Sequence, residues 1–310
     1  MTERLERLVA GERREVARTL NALERQGRPS TDPKLRALVD AAALVRREGA
    51  KVIGLTGPPG VGKSTLASRL IERWRREELS VGAIAVDPTS RCSGGALLGD
   101  RARMGRHGSD PGVFIRSMAA RDRLGGLAPA AELAVYVMRA AWDRVIVETV
   151  GVGQSETDVT DSVDATVVVV QPGSGDTLQF IKSGVMDIPD VLVVNKADMG
   201  EVARRSVRDL TSALQARGRP ETPVLSVSAL QATTLQPLFD AISRLRSGSV
   251  VHRNTQIGAH AARMFAGEHG RRAVRMLGGD YAVQALVESL DGGPLSRLSK
   301  LEAMLASRMP

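Results

Sequence analysis

The sequence predicts an α/β protein: a doubly wound, mostly parallel sheet of about seven strands with helical extensions at both ends. Three observations predict it. Seven short, β-branched apolar runs alternate with helical spacing between residues 51 and 228. A glycine-rich segment links the first run to a helical pattern. On either side of this region the spacing is helical only. Continuous apolar strands separated by helices belong to a sheet covered on both faces. Repeated alternation of that kind builds the doubly wound α/β architecture.

The elements follow in chain order. Leu5, Leu8, Val9, Val16, Leu20 and Leu23 recur at three- and four-residue steps, which is one face of a helix. QGRPSTDP (26–33) interrupts the pattern with Gly and Pro. A second helix follows, with Leu35, Leu38, Val39 and Leu44 inward. Residues 1–46 therefore read as an N-terminal helical arm. The strands are KVIGLT (51–56), VGAIAV (81–86), GVFIRS (112–117), RVIVET (144–149), ATVVVV (165–170), VLVVN (191–195) and PVLSVS (223–228). They define an α/β domain over 47–247. Residues 248–310 return to helical spacing, with Gly-Gly breaks at 278–279 and 292–293. Docking on the α/β domain or a dimer contact would bury their apolar faces.

Composition narrows the classes. The chain has 310 residues, 43% hydrophobic and 25% charged, so disorder throughout is excluded. Cys92 is the only cysteine, so no intrachain disulfide forms and a reducing cytoplasm is expected. The first twenty residues are charged from the third onward and lack an apolar stretch, so a secretory signal is not expected. No apolar run reaches the roughly 18 residues that a membrane helix needs. Net charge is +8, but the arginines are spread and aromatics make up 3%, so nucleic acid is not an expected partner.

The segment Gly57-Pro58-Pro59-Gly60-Val61-Gly62-Lys63-Ser64, with Thr65 after it, satisfies G-x-x-x-x-G-K-[ST] between a strand and a helix. Glycines let successive N–H groups curl around an anion, and the helix adds its positive end. Lys63 places a charge at the β/γ-phosphates of a nucleotide, and the Ser64 hydroxyl suits Mg²⁺. Asn195-Lys196-Ala197-Asp198 ends a later strand. A carboxylate at Asp198 can accept from both N1–H and the N2 amine of guanine, a donor pair that adenine lacks. Asn195 and Lys196 would brace the loop and cover the base. Ser228-Ala229, closing the last strand, suits a backbone contact to the guanine carbonyl.

Three further segments end strands on the same edge. Glu148, followed by Gly151, Gly153 and Gln154, offers an acid for the Mg²⁺ shell, a glycine loop able to move with the γ-phosphate, and a group to orient water. Asp87 and Asp100 flank a small-residue loop and are further candidates near Mg²⁺. Asp176, Gln179 and Lys182 follow the glycines at 173 and 175 and suit a mobile contact element.

Together these blocks closely resemble the MeaB/ArgK-like G-protein chaperones of adenosylcobalamin-dependent acyl-CoA mutases, whose best-known members serve methylmalonyl-CoA mutase. The matching stretches are LTGPPGVGKST (55–65), VDPTSRCSGGALLGDRARM (86–104), FIRSMAARDRLGGLA (114–128), IVETVGVGQSE (146–156), QPGSGDTLQFIKSGVMDIPDVLVVNKAD (171–198) and SVSAL (226–230). The resemblance implies a dimeric P-loop GTPase of the signal-recognition-particle/MinD-like (SIMIBI) class that gates cobalamin delivery and protects the mutase. It implies Mg²⁺ near Ser64, Asp87, Asp100 and Glu148, and base contacts through Leu230 as well as Ser228 and Ala229. It implies catalytic roles for Lys63, Glu148, Gln154, Asp176 and Lys182, with Lys182 stabilising the transferring phosphoryl once the partner docks. The cobalamin is expected on the partner, since no base-off ligand motif is present. Two other readings compete: a transport-system or protein kinase-type ATPase, and a metal-insertion GTPase. Asn-Lys-Ala-Asp argues against ATP. The four scattered histidines and single cysteine argue against a metal-insertion site.

Overall fold

The structure is a computed structural model that describes residues 2–25, 32–45, 47–87, 107–119, 127–149, 159–173, 188–245 and 250–308. The chain divides into two compact units. One comprises residues 50–128 and 143–247, and the other 1–49, 129–142 and 248–310.

The first unit is built on one seven-stranded sheet. Its strands are β1 (Lys51–Thr56), β2 (Val81–Asp87), β3 (Val113–Ala119), β4 (Arg144–Glu148), β5 (Ala165–Val170), β6 (Val191–Val194) and β7 (Val224–Ser226). They lie in the order β3-β2-β4-β1-β5-β6-β7, and every adjacent pair is parallel. The sheet is thus wholly parallel, and all seven sequence-predicted strands are present. Alternation along each strand divides two cores. Ile53, Leu55, Ile146, Val167, Val169, Val191 and Val193 pack with Leu66, Leu70 and Trp74 of α4 (Lys63–Arg76) and with Leu238 and Ile242 of α7 (Gln236–Arg244). Val168, Val170, Leu192 and Val194 face the other way, against Ala203, Leu210 and Leu214 of α6 (Glu201–Ala216). Helices on both faces explain why the strands carry no polar alternation.

The second unit is helical. It contains α1 (Thr2–Val9), α2 (Arg13–Arg25), α3 (Pro33–Leu44), α5 (Pro129–Ala141), α8 (Val250–Met276), α9 (Asp280–Ser289) and α10 (Pro294–Ala306). The apolar face of residues 5–23 is interrupted at Gly11, where φ is 74° and the amide donates to the Leu8 carbonyl at 2.9 Å. A left-handed residue ends one helix and redirects the chain into the next. Asp32 caps α3 by accepting from the amides of Lys34 and Leu35 at 2.9 and 3.2 Å, with Pro33 at the first helical position. The breaks after α8 and α9 fall at Gly278–Gly279 and Gly292–Gly293, as the Gly-Gly pairs predict.

Helix α5 lies between β3 and β4 in sequence, inside the stretch 47–247, yet the structure groups it with the terminal helices. The reason lies in its side chains. Every residue from Ala131 to Ala141 is buried, including Glu132 and Arg139. Buried charges require partners, and α8 supplies them. Glu132 pairs with His260 Nε2 at 2.7 Å, and Arg139 donates to the Gln256 side chain at 3.3 Å. The Tyr136 and His260 rings stack at 5.7 Å.

Asp40 on α3 serves a helix far away in sequence. Its carboxylate accepts from the Leu295 amide at 2.9 Å and from the Ser296 hydroxyl, closing the N-terminus of α10. The N-cap residue there, Gly293, supplies no side-chain cap of its own. Gly293 is required beside it, because a Cβ there would collide with Asp40. Burial pushes the Asp40 carboxyl above its ordinary range, against the lowering effect of the bonds from Ser296 and Leu295. The folded chain therefore holds this proton more tightly than the unfolded chain. The carboxyl's contribution to stability is fully present below the ordinary value of 3.8 and declines as pH rises through the folded value. Asp40→Ala is expected to lower unfolding free energy by about 1–3 kcal/mol in urea titrations, the cost of unpaired buried donors. Asp40→Asn should keep one of the two acceptors and remove this pH-dependent component.

Candidate functional site

Strand β1 ends at Thr56, and the chain then turns through residues 57–62 into α4. Three loop glycines take positive φ: Gly57 at 134°, Gly60 at 79° and Gly62 at 98°. Two of them are also sites of close approach. A Cβ on Gly57 would collide with the Val169 carbonyl of β5, and one on Gly62 with the Asn195 side-chain amide. Pro59 and Gly60 form the exposed tip, whereas Val61, Lys63 and Ser64 are buried and Thr65 is partly so. Lys63 Nζ folds back over the loop and donates to the carbonyls of Gly57 at 2.7 Å and Pro58 at 3.0 Å. A glycine loop, a buried ammonium and the N-terminus of a 14-residue helix together make an anion site.

Strand register brings the acid to this loop. Glu148 pairs with Leu55 of β1 on one side and Ala85 of β2 on the other. Its Oε1 accepts from Ser64 Oγ at 2.7 Å, and the carboxylate is only 2% exposed. A hydroxyl and a carboxylate side by side are hard oxygen donors of the kind Mg²⁺ takes. The next residue, Thr149, donates to Thr56 Oγ1 at 3.0 Å and fixes the end of β4 against β1. Asp87 ends β2 two positions beyond the residue paired with Glu148, so its backbone stands at the same sheet edge. Asp100, Gly151, Gly153, Gln154, Asp176, Gln179 and Lys182 lie outside the described residues.

The Asn195–Asp198 segment follows β6. Asn195 is buried, and its side chain works in two directions. Its Nδ2 donates to the Val61 carbonyl at 2.7 Å, and its Oδ1 accepts from the Ala229 amide at 3.0 Å. Lys196 takes a left-handed conformation, φ 61° and ψ 45°, and its ammonium donates to the Gln171 side chain after β5. Asp198 is exposed and accepts from Ser228 Oγ at 2.7 Å. That hydroxyl, then the residue's own amide and the Lys196 charge, hold the Asp198 carboxyl below its ordinary range. Thr234 braces the adjoining turn by accepting from the Ser228 amide at 2.8 Å and donating to the Ser228 carbonyl at 3.1 Å. Leu230 stands 77% exposed at the rim.

The structure thus gathers Lys63, Ser64, Glu148, Asn195, Lys196, Asp198, Ser228 and Ala229 at one end of the sheet. Sequence reasoning missed Arg69, whose Nε donates to the Ala229 carbonyl at 3.0 Å from the second turn of α4. No local signal marks it, because only the packing of α4 brings position 69 to position 229.

The family model described as "Methylmalonyl Co-A mutase-associated GTPase MeaB" matches residues 16–273. A putative GTPase of Pyrococcus horikoshii is 49% identical over 213 residues, covering 68% of this chain and 65% of that protein's own length. A fused isobutyryl-CoA mutase of Cupriavidus metallidurans is 37% identical over 215 residues, which are 68% of this chain and 19% of the mutase. The crystal structure of an LAO/AO transport system kinase superimposes with a TM-score of 0.64 at 28% identity, covering 98% of this chain and 97% of that one. With a glycine loop and the Asn195–Asp198 segment joined at one sheet edge, and a family match across most of its length, the chain belongs to the methylmalonyl-CoA mutase-associated GTPases.

Proposed function

We propose that this GTPase hydrolyses GTP to GDP and phosphate and uses that cycle to gate cobalamin loading of an adenosylcobalamin-dependent acyl-CoA mutase and protect it. The observation that carries the reading is the junction at Asn195, which ties an anion-binding loop to a segment ending in an ionised Asp198. In this reading Asp198 accepts from guanine N1–H and the N2 amine. Lys63 shifts its ammonium from the loop carbonyls onto the β/γ-phosphates. The amides of residues 57–65 and the start of α4 surround the phosphate oxygens. Mg²⁺, when bound, neutralises charge on those oxygens; Ser64 and Glu148 would hold it, with Asp87 and Asp100 completing the shell. Gln154 orients the attacking water, and Asp176 and Lys182 carry the partner's signal. Lys182 stabilises negative charge on the transferring phosphoryl once the partner docks.

The partner rests on the family's description and on the relative in which a matching segment is fused to a mutase. A homodimer rests on the resemblance described above, a cytoplasmic location on the single cysteine, and cobalamin carriage by the mutase on the lack of a base-off ligand motif in the sequence. Among the described residues no helix is long and apolar enough to cross a membrane. Intrinsic turnover is slow in this reading, because a switch that discharges alone carries no signal. The alternative of a kinase-type ATPase finds no support at Asp198, whose acceptor pair has no matching donors on adenine.

Four measurements test the proposal. Asp198→Asn should cost about 1–3 kcal/mol of GDP affinity by calorimetry, roughly ten- to hundredfold, and shift preference toward xanthine nucleotides, because the amide replaces an acceptor with a donor. Retained guanine preference would sink the base assignment. Since Ser228 keeps Asp198 ionised, guanine affinity should stay flat between about pH 5 and 8, above the ordinary carboxylate value. Ser64→Ala and Glu148→Gln should each raise the Mg²⁺ concentration needed for half-maximal turnover by at least about tenfold. Adding an acyl-CoA mutase should accelerate GTP turnover. A rate indifferent to every such mutase would remove the partner and leave the GTPase assignment standing.

A further inference from the structure

In the sequence Glu268 adjoins His269, and nothing in the spacing brings a third ligand to them. In the folded helical unit, however, His269 stands between two carboxylates. Glu268 and His269 lie on α8, and Glu302 lies on α10. His269 Nε2 is 3.2 Å from Glu302 Oε1, and one ligand atom from each of the three residues lies within 4.8 Å of the others. The imidazole lies beside the buried Phe265 ring, centroids 5.0 Å apart and planes tilted by 40°.

Two further features favour a cation here. Gly270 follows the pair with φ 74° and ψ 177°, so Glu268 and His269 occupy the last turn of the first half of α8. The carbonyl end of a helix carries partial negative charge and attracts cations. The spacing also fits. Tetrahedral Zn²⁺ with bonds of about 2.0–2.1 Å sets its ligand atoms roughly 3.3 Å apart, close to the 3.2 Å seen between His269 and Glu302. One imidazole and two carboxylates suit a borderline divalent ion better than Mg²⁺, which prefers oxygen alone.

We propose that Glu268, His269 and Glu302 form a binding site for one Zn²⁺, with a fourth position open to water. Zn²⁺ would staple α8 to α10 and stabilise the helical unit. Ser64 and Glu148 belong to the other unit, so the site is independent of the GTP reading.

An ion pair between His269 and Glu302 would have the same spacing, and variants separate the two. Full-length, metal-free protein saturated with Mg²⁺-GDP is titrated with ZnCl₂ by calorimetry. The expected result is one equivalent bound, a raised melting temperature, and X-ray absorption reporting one imidazole with oxygen donors at about 2.0–2.2 Å. Glu302→Gln and His269→Gln should each weaken Zn²⁺ binding by at least about tenfold while GDP affinity holds. His252→Gln, at an exposed position on α8, should leave Zn²⁺ affinity unchanged. Should His269→Gln fail to fold, Glu302→Gln decides alone. Absence of stoichiometric binding, or parental affinity in the folded variants, overturns the proposal and leaves an ion pair only.

Discussion

One buried carboxamide holds the candidate site together. Asn195 reaches forward to the Val61 carbonyl in the phosphate loop and back to the Ala229 amide in the turn after β7. Segments more than 130 residues apart in sequence thereby share a single side chain. A polar group buried without a partner costs about 1–3 kcal/mol, and two backbone groups depend on this side chain at once. The demand spreads to Gly62, where Asn195 occupies the space a Cβ would need. The loop after β1 and the turn after β7 each have internal hydrogen bonds, and Asn195 ties the two together.

That arrangement depends on strand direction. With every strand parallel, each loop that follows a strand emerges at the same end. The loop after β1, the end of β4 and the turns after β6 and β7 therefore converge without distortion. The opposite end of the sheet solves a different problem. Lys51 opens β1 and donates to the carbonyls of Ile242, Ser243 and Leu245 at the end of α7. Burial, reinforced by neighbouring Arg144, pushes the Lys51 ammonium below its usual range. Satisfied carbonyls let α7 terminate against the sheet.

Much of this was legible in the sequence, and the reasons are physical. Buried parallel strands must be apolar on both faces, so ATVVVV identifies β5 to the residue. The phosphate loop is legible because its glycines meet steric limits set by β5 and Asn195. What stayed hidden depends on contacts between distant positions. Gly11 sits in a run whose apolar spacing continues past it, so only its backbone conformation reveals the break between α1 and α2. Helix α5 has the composition of an ordinary crossover helix. Its allegiance becomes visible only when Glu132 meets His260. Asp40 reaches across 255 residues to the amide of Leu295. Arg69 and the cluster at His269 arise in the same way, from packing that no local period encodes.

The grouping of α5 with the terminal helices has a consequence for inheritance. The chain passes between its two units after residues 49, 128, 142 and 247. The helical portion is therefore stitched into the nucleotide-binding portion, not attached at one margin. A recombination event after residue 128 or 142 would leave both bodies incomplete, whereas one after residue 49 or 247 would divide only the helical body. Descent by shuffling keeps both bodies whole only when the inner span 50–247 travels with both flanking helical segments.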